Sequence, residues 1–211
     1  MFRAGLAAGL LLSLLLAGPT ASELLAGEFT SIQPLFRGVP LTPRRPEDIS
    51  VQVKLRNDRP LYAQFRYGSE DSTLVTVVVD RASGASFDLY VDVDRDRIVE
   101  LEERVPEAGP TRRVNLDAEF VQGEELRRVR RTVAFRLGRT GRTLSLATAD
   151  LVRHRTQLAG RTVAVVRVDG DANGFFSDCR DRLWVDLNRD GRWDPLSEQF
   201  PYGPLVVLNG Q

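Results

Sequence analysis

The chain has 211 residues, 42% of them hydrophobic and 27% charged, which is an ordinary globular balance. Its 29 basic residues offset 29 acidic ones, so no global excess of charge points to nucleic acid or to an anionic membrane surface. Cys179 is the single cysteine, which excludes an internal disulfide and leaves the core or a bound metal to supply stability.

Residues 1–22, MFRAGLAAGLLLSLLLAGPTAS, fit a secretory signal peptide. Arg3 supplies the positive start, Ala4 to Ala17 is an apolar run too short for a comfortable membrane span, and small residues follow. The expectation is export to the periplasm or the cell exterior, with no transmembrane span in the mature chain; an uncleaved anchor is the other reading. Residues 23–48 contain Pro34, Pro40, Pro43 and Pro46 and read as an extended lead-in that Leu35 and Phe36 would dock. Residues 49–211 read as one β-rich domain.

Within that domain the apolar period is two. Ile49 to Arg56 alternates Ile49, Val51, Val53 and Leu55 with polar residues, and Leu61 to Tyr67 does the same after an Asn57-Asp58-Arg59-Pro60 turn signal. Thr73 to Val79 is a continuous β-branched run and is expected to be a central strand, followed by strands at Ser86 to Asp92 and Arg113 to Val121. The arginine-rich stretch Arg127 to Arg142 reads as an edge strand whose charges block aggregation, or else as a basic patch; it has no interleaved aromatics for nucleic acid. Thr143 to Ala147 is a short strand, Ala149 to Leu158 a helical turn or loop, and Thr162 to Val168, Arg182 to Leu187 and Leu205 to Leu208 are strands. Helical periodicity is absent after the signal. The fold class is mainly β, an antiparallel sheet or β-sandwich with few helices.

The chain also echoes itself. LYVDVDRD at Leu89 to Asp96 matches LWVDLNRD at Leu183 to Asp190, and LEERV at Leu101 to Val105 matches LSEQF at Leu196 to Phe200 after a gap at Pro195. Upstream, Thr76 to Asp80 reads as the counterpart of Val165 to Asp169. The unit is strand, loop, strand, acidic loop, spanning about 73–105 and 162–200.

Oxygen-bearing side chains recur at alternate positions in three loops: Asp92, Asp94, Asp96; Asp169, Asp171, Asn173 before Gly174; and Asp186, Asn188, Asp190 before Gly191. A hard cation needs several oxygens at short range, and a sharp turn lets one loop supply most of them. Solvated acidic turns are the plainer reading of each loop, since Asp, Asn and Gly favour turns anyway. The Asp186 loop resembles the EF-hand-like calcium loops of dockerin-type repeats over Asp186 to Glu198. The resemblance implies ligands at Asp186, Asn188 and Asp190, the Arg192 carbonyl, Asp194, and a closing acid that arrives one residue late as Glu198. The same pattern implies the Phe175 carbonyl in the Asp169 loop; Ser177, Asp178 and Asp181 are the closing candidates there, at a spacing that does not follow the family pattern. In the Asp92 loop it implies Glu100 and Glu103, with Arg97 where the glycine would be. Calcium is the expected ion. Magnesium prefers water and phosphate, and zinc lacks a His or Cys cluster.

Enzyme signatures are weak. His154 is the only histidine and is flanked by Arg153 and Arg155, Cys179 lies in an acidic loop, and no glycine-framed serine elbow appears. The sequence reads as an exported, calcium-binding, non-catalytic structural or interaction module, with a protein or polysaccharide at the cell surface as its partner class. A calcium-stabilised carbohydrate-binding module is the rival, using Trp193, Tyr90, Phe175 or Phe176 as sugar platforms. A metal-dependent hydrolase comes third.

Overall fold

The computed structural model describes residues 32–203 apart from 81–86, 108 and 123. The expected signal peptide, the start of the lead-in, the turn expected after Asp80 and the expected strand from Leu205 to Leu208 lie outside the described residues. The chain divides into two compact units, and the larger comprises residues 34–150 together with the loop 169–175. The smaller takes 151–168 and the segment from 176 onward. No helix among the described residues is long and apolar enough to cross a membrane.

The larger unit begins with β1 (Arg37–Pro40), β2 (Ser50–Val51), β3 (Leu61–Arg66), β4 (Leu74–Asp80) and β5 (Asp88–Val91). It continues with β6 (Ile98–Val99), a 3₁₀ turn (Leu101–Glu103), β7 (Arg104–Val105), β8 (Arg112–Gln122), β9 (Glu125–Leu137) and β10 (Thr143–Thr148). Two four-stranded antiparallel sheets result, ordered β3-β4-β5-β7 and β1-β10-β9-β8. Their inner faces share one core, in which Phe65, Val77 and Leu89 meet Leu116, Phe135 and Leu146. The β-branched run of β4 is central, as its composition predicts. Val75, Val77 and Val79 face this core, and Val78 enters a second cluster with Ile49, Tyr62, Tyr90 and Val99 on the opposite face. The fold is therefore mainly β and sandwich-like, built from antiparallel sheets.

The smaller unit is one antiparallel sheet, β11 (Val152–Leu158), β12 (Arg161–Val168), β13 (Arg182–Val185) and β14 (Gln199–Pro201), in that spatial order. Val163, Val165, Leu183 and Val185 form its core, with Leu158 and Phe200 packed against them.

The internal echo is a four-strand meander, β3-β4-β5-β7 in one unit and β11-β12-β13-β14 in the other. Val77 pairs with Val91 where Val165 pairs with Val185, and Leu89 pairs with Val105 where Leu183 pairs with Phe200. Leaving each meander, Asp92 donates its amide to Thr76 and Asp186 donates its amide to Ala164. This register corrects the upstream alignment by one residue. Val77 is the counterpart of Val165, so Asp80 is equivalent to Val168 and not to Asp169. Asp80 instead accepts the Arg56 and Asn57 amides.

Other segments refine or depart from expectation. The stretch around Ala149 to Leu158 is a strand from Val152, because every residue of β11 pairs with β12 and its exposure alternates at the sheet edge. β9 lies between β8 and β10 only over Val133 to Phe135, while its arginine-rich part, Glu125 to Arg131, has β8 as its one ladder partner among the described residues and is an edge, as the charge pattern predicts. Its arginines are matched across the ladder, Arg130 with Asp117 and Arg128 with Glu119, both at 3.1 Å. Ile49 to Arg56 keeps its alternating burial, yet only Ser50–Val51 forms a ladder, parallel to β6. Part of the lead-in is integral: Arg37–Pro40 pairs with β10, and Phe36 lies under the Arg136 guanidinium at 4.0 Å.

Candidate metal centre

The three acidic loops share one backbone course. Counting the first aspartate as position one, the fourth and sixth residues are left-handed in each loop. Their φ values are 62° and 69° at Arg95 and Arg97, 56° and 90° at Ala172 and Gly174, and 62° and 71° at Arg189 and Gly191. A non-glycine residue in that region costs about 1–2 kcal/mol, so Arg97 holds this shape against its own preference. In each loop the seventh amide closes on the fifth side chain. Ile98 donates to Asp96 at 2.7 Å, Phe175 to Asn173 at 2.7 Å and Arg192 to Asp190 at 2.8 Å. Two loops also bond the fifth amide to the third side chain, Asp96 to Asp94 at 3.3 Å and Asp190 to Asn188 at 2.9 Å.

The loops differ in what their first carboxylate already holds. Asp169 is fully buried and saturated, accepting from the Thr148 hydroxyl, the Gly174 amide at 2.7 Å, and the Asp171 and Asn173 amides at 3.2 Å. Burial raises its pKa, the Thr148 and Gly174 bonds oppose the rise, and Asp171 adds to it. Asp186 is buried with one oxygen on the Gly191 amide at 3.3 Å and the other unpartnered. Asp92 has 0% exposure and neither of its oxygens meets a donor in hydrogen-bond geometry. The Arg95 and Arg97 amides oppose the rise in its pKa without meeting that geometry.

Asp92, Asp94 and Asp96 each place a carboxylate oxygen within 4.8 Å of the others. Asp169 and Asp171 bring theirs equally close to each other. These two acidic groupings could hold a metal ion. The acids of the Asp186 loop do not gather as a set of three at that distance among the described residues. Asn188 contributes an amide there, and Asp194 turns both oxygens to the Leu196 amide and the Ser197 hydroxyl, which lower its pKa.

Glu103 and Glu198 occupy matching places. Glu103 accepts the Val93 amide at 2.8 Å and the Glu100 amide at 3.3 Å. Glu198, buried, accepts the Leu187 amide at 3.0 Å and the Asp194 amide at 3.1 Å. Val93 and Leu187 both follow the first aspartate, so each of these acids is returned to the start of its loop. Asp181 is buried and accepts the Asp178 amide at 2.8 Å, within the smaller unit. Phe175 sets its ring edge-on to Phe120 at 5.5 Å.

The Asp92 cluster is electrostatically uncompensated. Burial first, and then Asp94 and Asp96, push the Asp92 pKa up to about 6. Burial pushes Glu103 up to about 7 against its two amide bonds, and Asp92 and Asp94 add to the rise. Among the described residues, no ion pair reaches Asp92, Asp94, Asp96 or Glu103. Arg97, whose charge the sequence sets against a cation here, is directed to Asp48 at 3.7 Å, and Arg95 is directed to Glu119. A buried carboxylate with no donor in the middle of like charges is relieved by protonation or by a cation. Arg95 is the residue sequence reading missed, because a lone arginine inside an acidic loop looks like an incidental surface charge.

Three of the four aromatic candidates are buried, and Phe175 is half-buried. Trp193 is 7% exposed and packs edge-on to Trp184 at 6.4 Å, and Tyr90 and Phe176 are buried. His154 is half-buried on β11, its pKa lowered by burial and by Arg167, with Nδ1 unpartnered. Cys179 is exposed. Compared with known proteins, the chain matches no family model, no curated protein and no solved structure.

Proposed function

We propose that this chain is an exported, non-catalytic β-rich module that binds calcium through its acidic loops and serves as a structural or interaction element. The observation that carries the reading is Asp92, wholly buried, with both oxygens unpartnered and two further carboxylates beside it. Calcium fits this donor set because it accepts carboxylate and carbonyl oxygens in flexible number, whereas magnesium holds its waters and zinc favours nitrogen and sulfur. The leader-like first 22 residues supply the argument for export.

The test is calorimetric titration of the mature protein with calcium, alongside thermal melts in calcium and in chelator. Calcium at about a hundred times its Kd is expected to stabilise the fold by about 2.7 kcal/mol through mass action. Asp92→Asn removes the uptake at the first loop, and Asp186→Ala removes any uptake at the last. Identical melts in calcium and chelator, with no heat of binding, refute the proposal.

A further inference from the structure

The calcium reading leaves one buried charge unused. Arg95, the fourth residue of the Asp92 loop, has a side chain that is 4% exposed. Its guanidinium pairs with Glu119 and donates to the carbonyls of Tyr67, at 3.2 Å, and Asp117. Tyr67 follows β3 in one sheet of the sandwich, and Asp117 and Glu119 lie on β8 of the other. The same seam carries two backbone bonds, from the Glu119 amide to Tyr67 at 3.2 Å and from the Ser69 amide to Glu119 at 2.8 Å. Glu119, 3% exposed, further accepts the Thr73 amide at 3.0 Å. A single residue of the acidic loop therefore grips both sheets. Its counterpart in the last loop, Arg189, has the same φ of 62° but is exposed and forms no ion pair among the described residues.

We infer that Arg95 is a positioning residue for a divalent cation in the Asp92 loop, and that the bound cation in turn tightens the seam between the two sheets. The inference rests on the calcium reading of that loop, for which the unpartnered buried carboxylate of Asp92 is the independent observation. The planar guanidinium is fixed by one carboxylate and two carbonyls, which holds the Arg95 backbone left-handed and pre-orients Asp94 and Asp96 on either side of it. A loop ordered before binding loses less freedom on binding. Linkage makes the effect reciprocal, so a cation that favours this loop shape favours the closed seam by the same factor.

The experiment combines calcium calorimetry on the full chain with amide hydrogen exchange. Asp94→Asn with Asp96→Asn, both exposed positions, identifies the site by its loss. Arg95→Ala is expected to weaken that site about tenfold, within the usual range of coupling between sites, while Arg189→Ala leaves it unchanged. Arg95→Lys, which keeps the charge and loses the planar fork, falls between Arg95→Ala and wild type. In wild type, calcium slows exchange of the Ser69 and Glu119 amides, and in the Asp94→Asn, Asp96→Asn protein it does not. Should Arg95→Ala fail to fold, the wild-type exchange decides. Unchanged affinity in a folded Arg95→Ala, or unchanged exchange at both amides in wild type that takes up calcium, overturns the inference and leaves the calcium reading standing. No calcium uptake by wild type overturns both.

Discussion

An ionisable side chain at zero exposure with no donor in hydrogen-bond geometry is costly, and Asp92 concentrates that cost at one atom pair. Replacing it with asparagine removes the charge and keeps the shape. Asp92→Asn is therefore expected to raise stability in chelator by about 1–2 kcal/mol and to lose the calcium-dependent gain, a sign reversal that denaturant titration in the two conditions reads directly. Acidity gives a second handle. The folded-state pKa values of Asp92, about 6, and Glu103, about 7, lie above their ordinary values of 3.8 and 4.5. The folded chain thus holds protons that the unfolded chain has released. Without metal, this contribution to stability is full below the ordinary values and is lost as pH rises through the raised ones. Asp169, also raised, acts in the same direction. Calcium competes with those protons, so its apparent affinity climbs over the same interval. Calorimetric melts at pH 4.5 and pH 7.5, with chelator and with calcium, check both slopes, which are expected to be opposite in sign (about 1.4 kcal/mol per pKa unit before solvent screening).

At the level of the element, the loops were legible as turns rich in carboxylate and amide oxygens, but what each first carboxylate already holds was not. Spacing favoured the Asp169 and Asp186 loops because each carries a glycine. The fold gives the Asp169 carboxylate several protein donors and leaves Asp92 with none in hydrogen-bond geometry. Spacing also made Glu198 look late. The extra residue at Pro195 is absorbed by a wider turn, since Glu198 donates its amide to Asp194 four residues back where Glu103 donates to Glu100 three back. Both acids consequently arrive at the amide after the first aspartate. The two glycines are unequal as well. At Gly174, with φ +90°, an added Cβ meets Ala118 Cβ at 2.4 Å and the Tyr67 ring at 3.0 Å, whereas at Gly191, with φ +71°, it meets nothing within 4 Å. Gly174→Ala is expected to cost about 2–4 kcal/mol, combining backbone and overpacking penalties, and Gly191→Ala about 1–2 kcal/mol from the backbone alone. Urea denaturation of the pair separates them.

For the whole molecule, the strand content followed from apolar alternation, and the central place of β4 followed from its run of valines. One strand escaped. β11 carries Arg153, His154 and Arg155, polar residues that hide a strand whose ladder to β12 is complete. The edge character of the arginine-rich part of β9 was legible, but the acids on β8 that pair its arginines were not. Both the β11 ladder and those ion pairs are tertiary effects that no local window contains. The duplicated meander was half seen, because its first strand in the later copy was read as a loop. The two meanders share one pairing register, and the loops that leave them share their left-handed positions, so the loops are structural equivalents. Equivalent segments are expected to be interchangeable where their surroundings agree. Transplanting Asp186 to Gly191, sequence DLNRDG, over Asp92 to Arg97, sequence DVDRDR, keeps the arginine at position four and supplies glycine at position six. The chimaera is expected to fold with a melting temperature at or above that of the parent and to retain a calcium site. Circular dichroism melts and a calcium titration of the graft check that exchange.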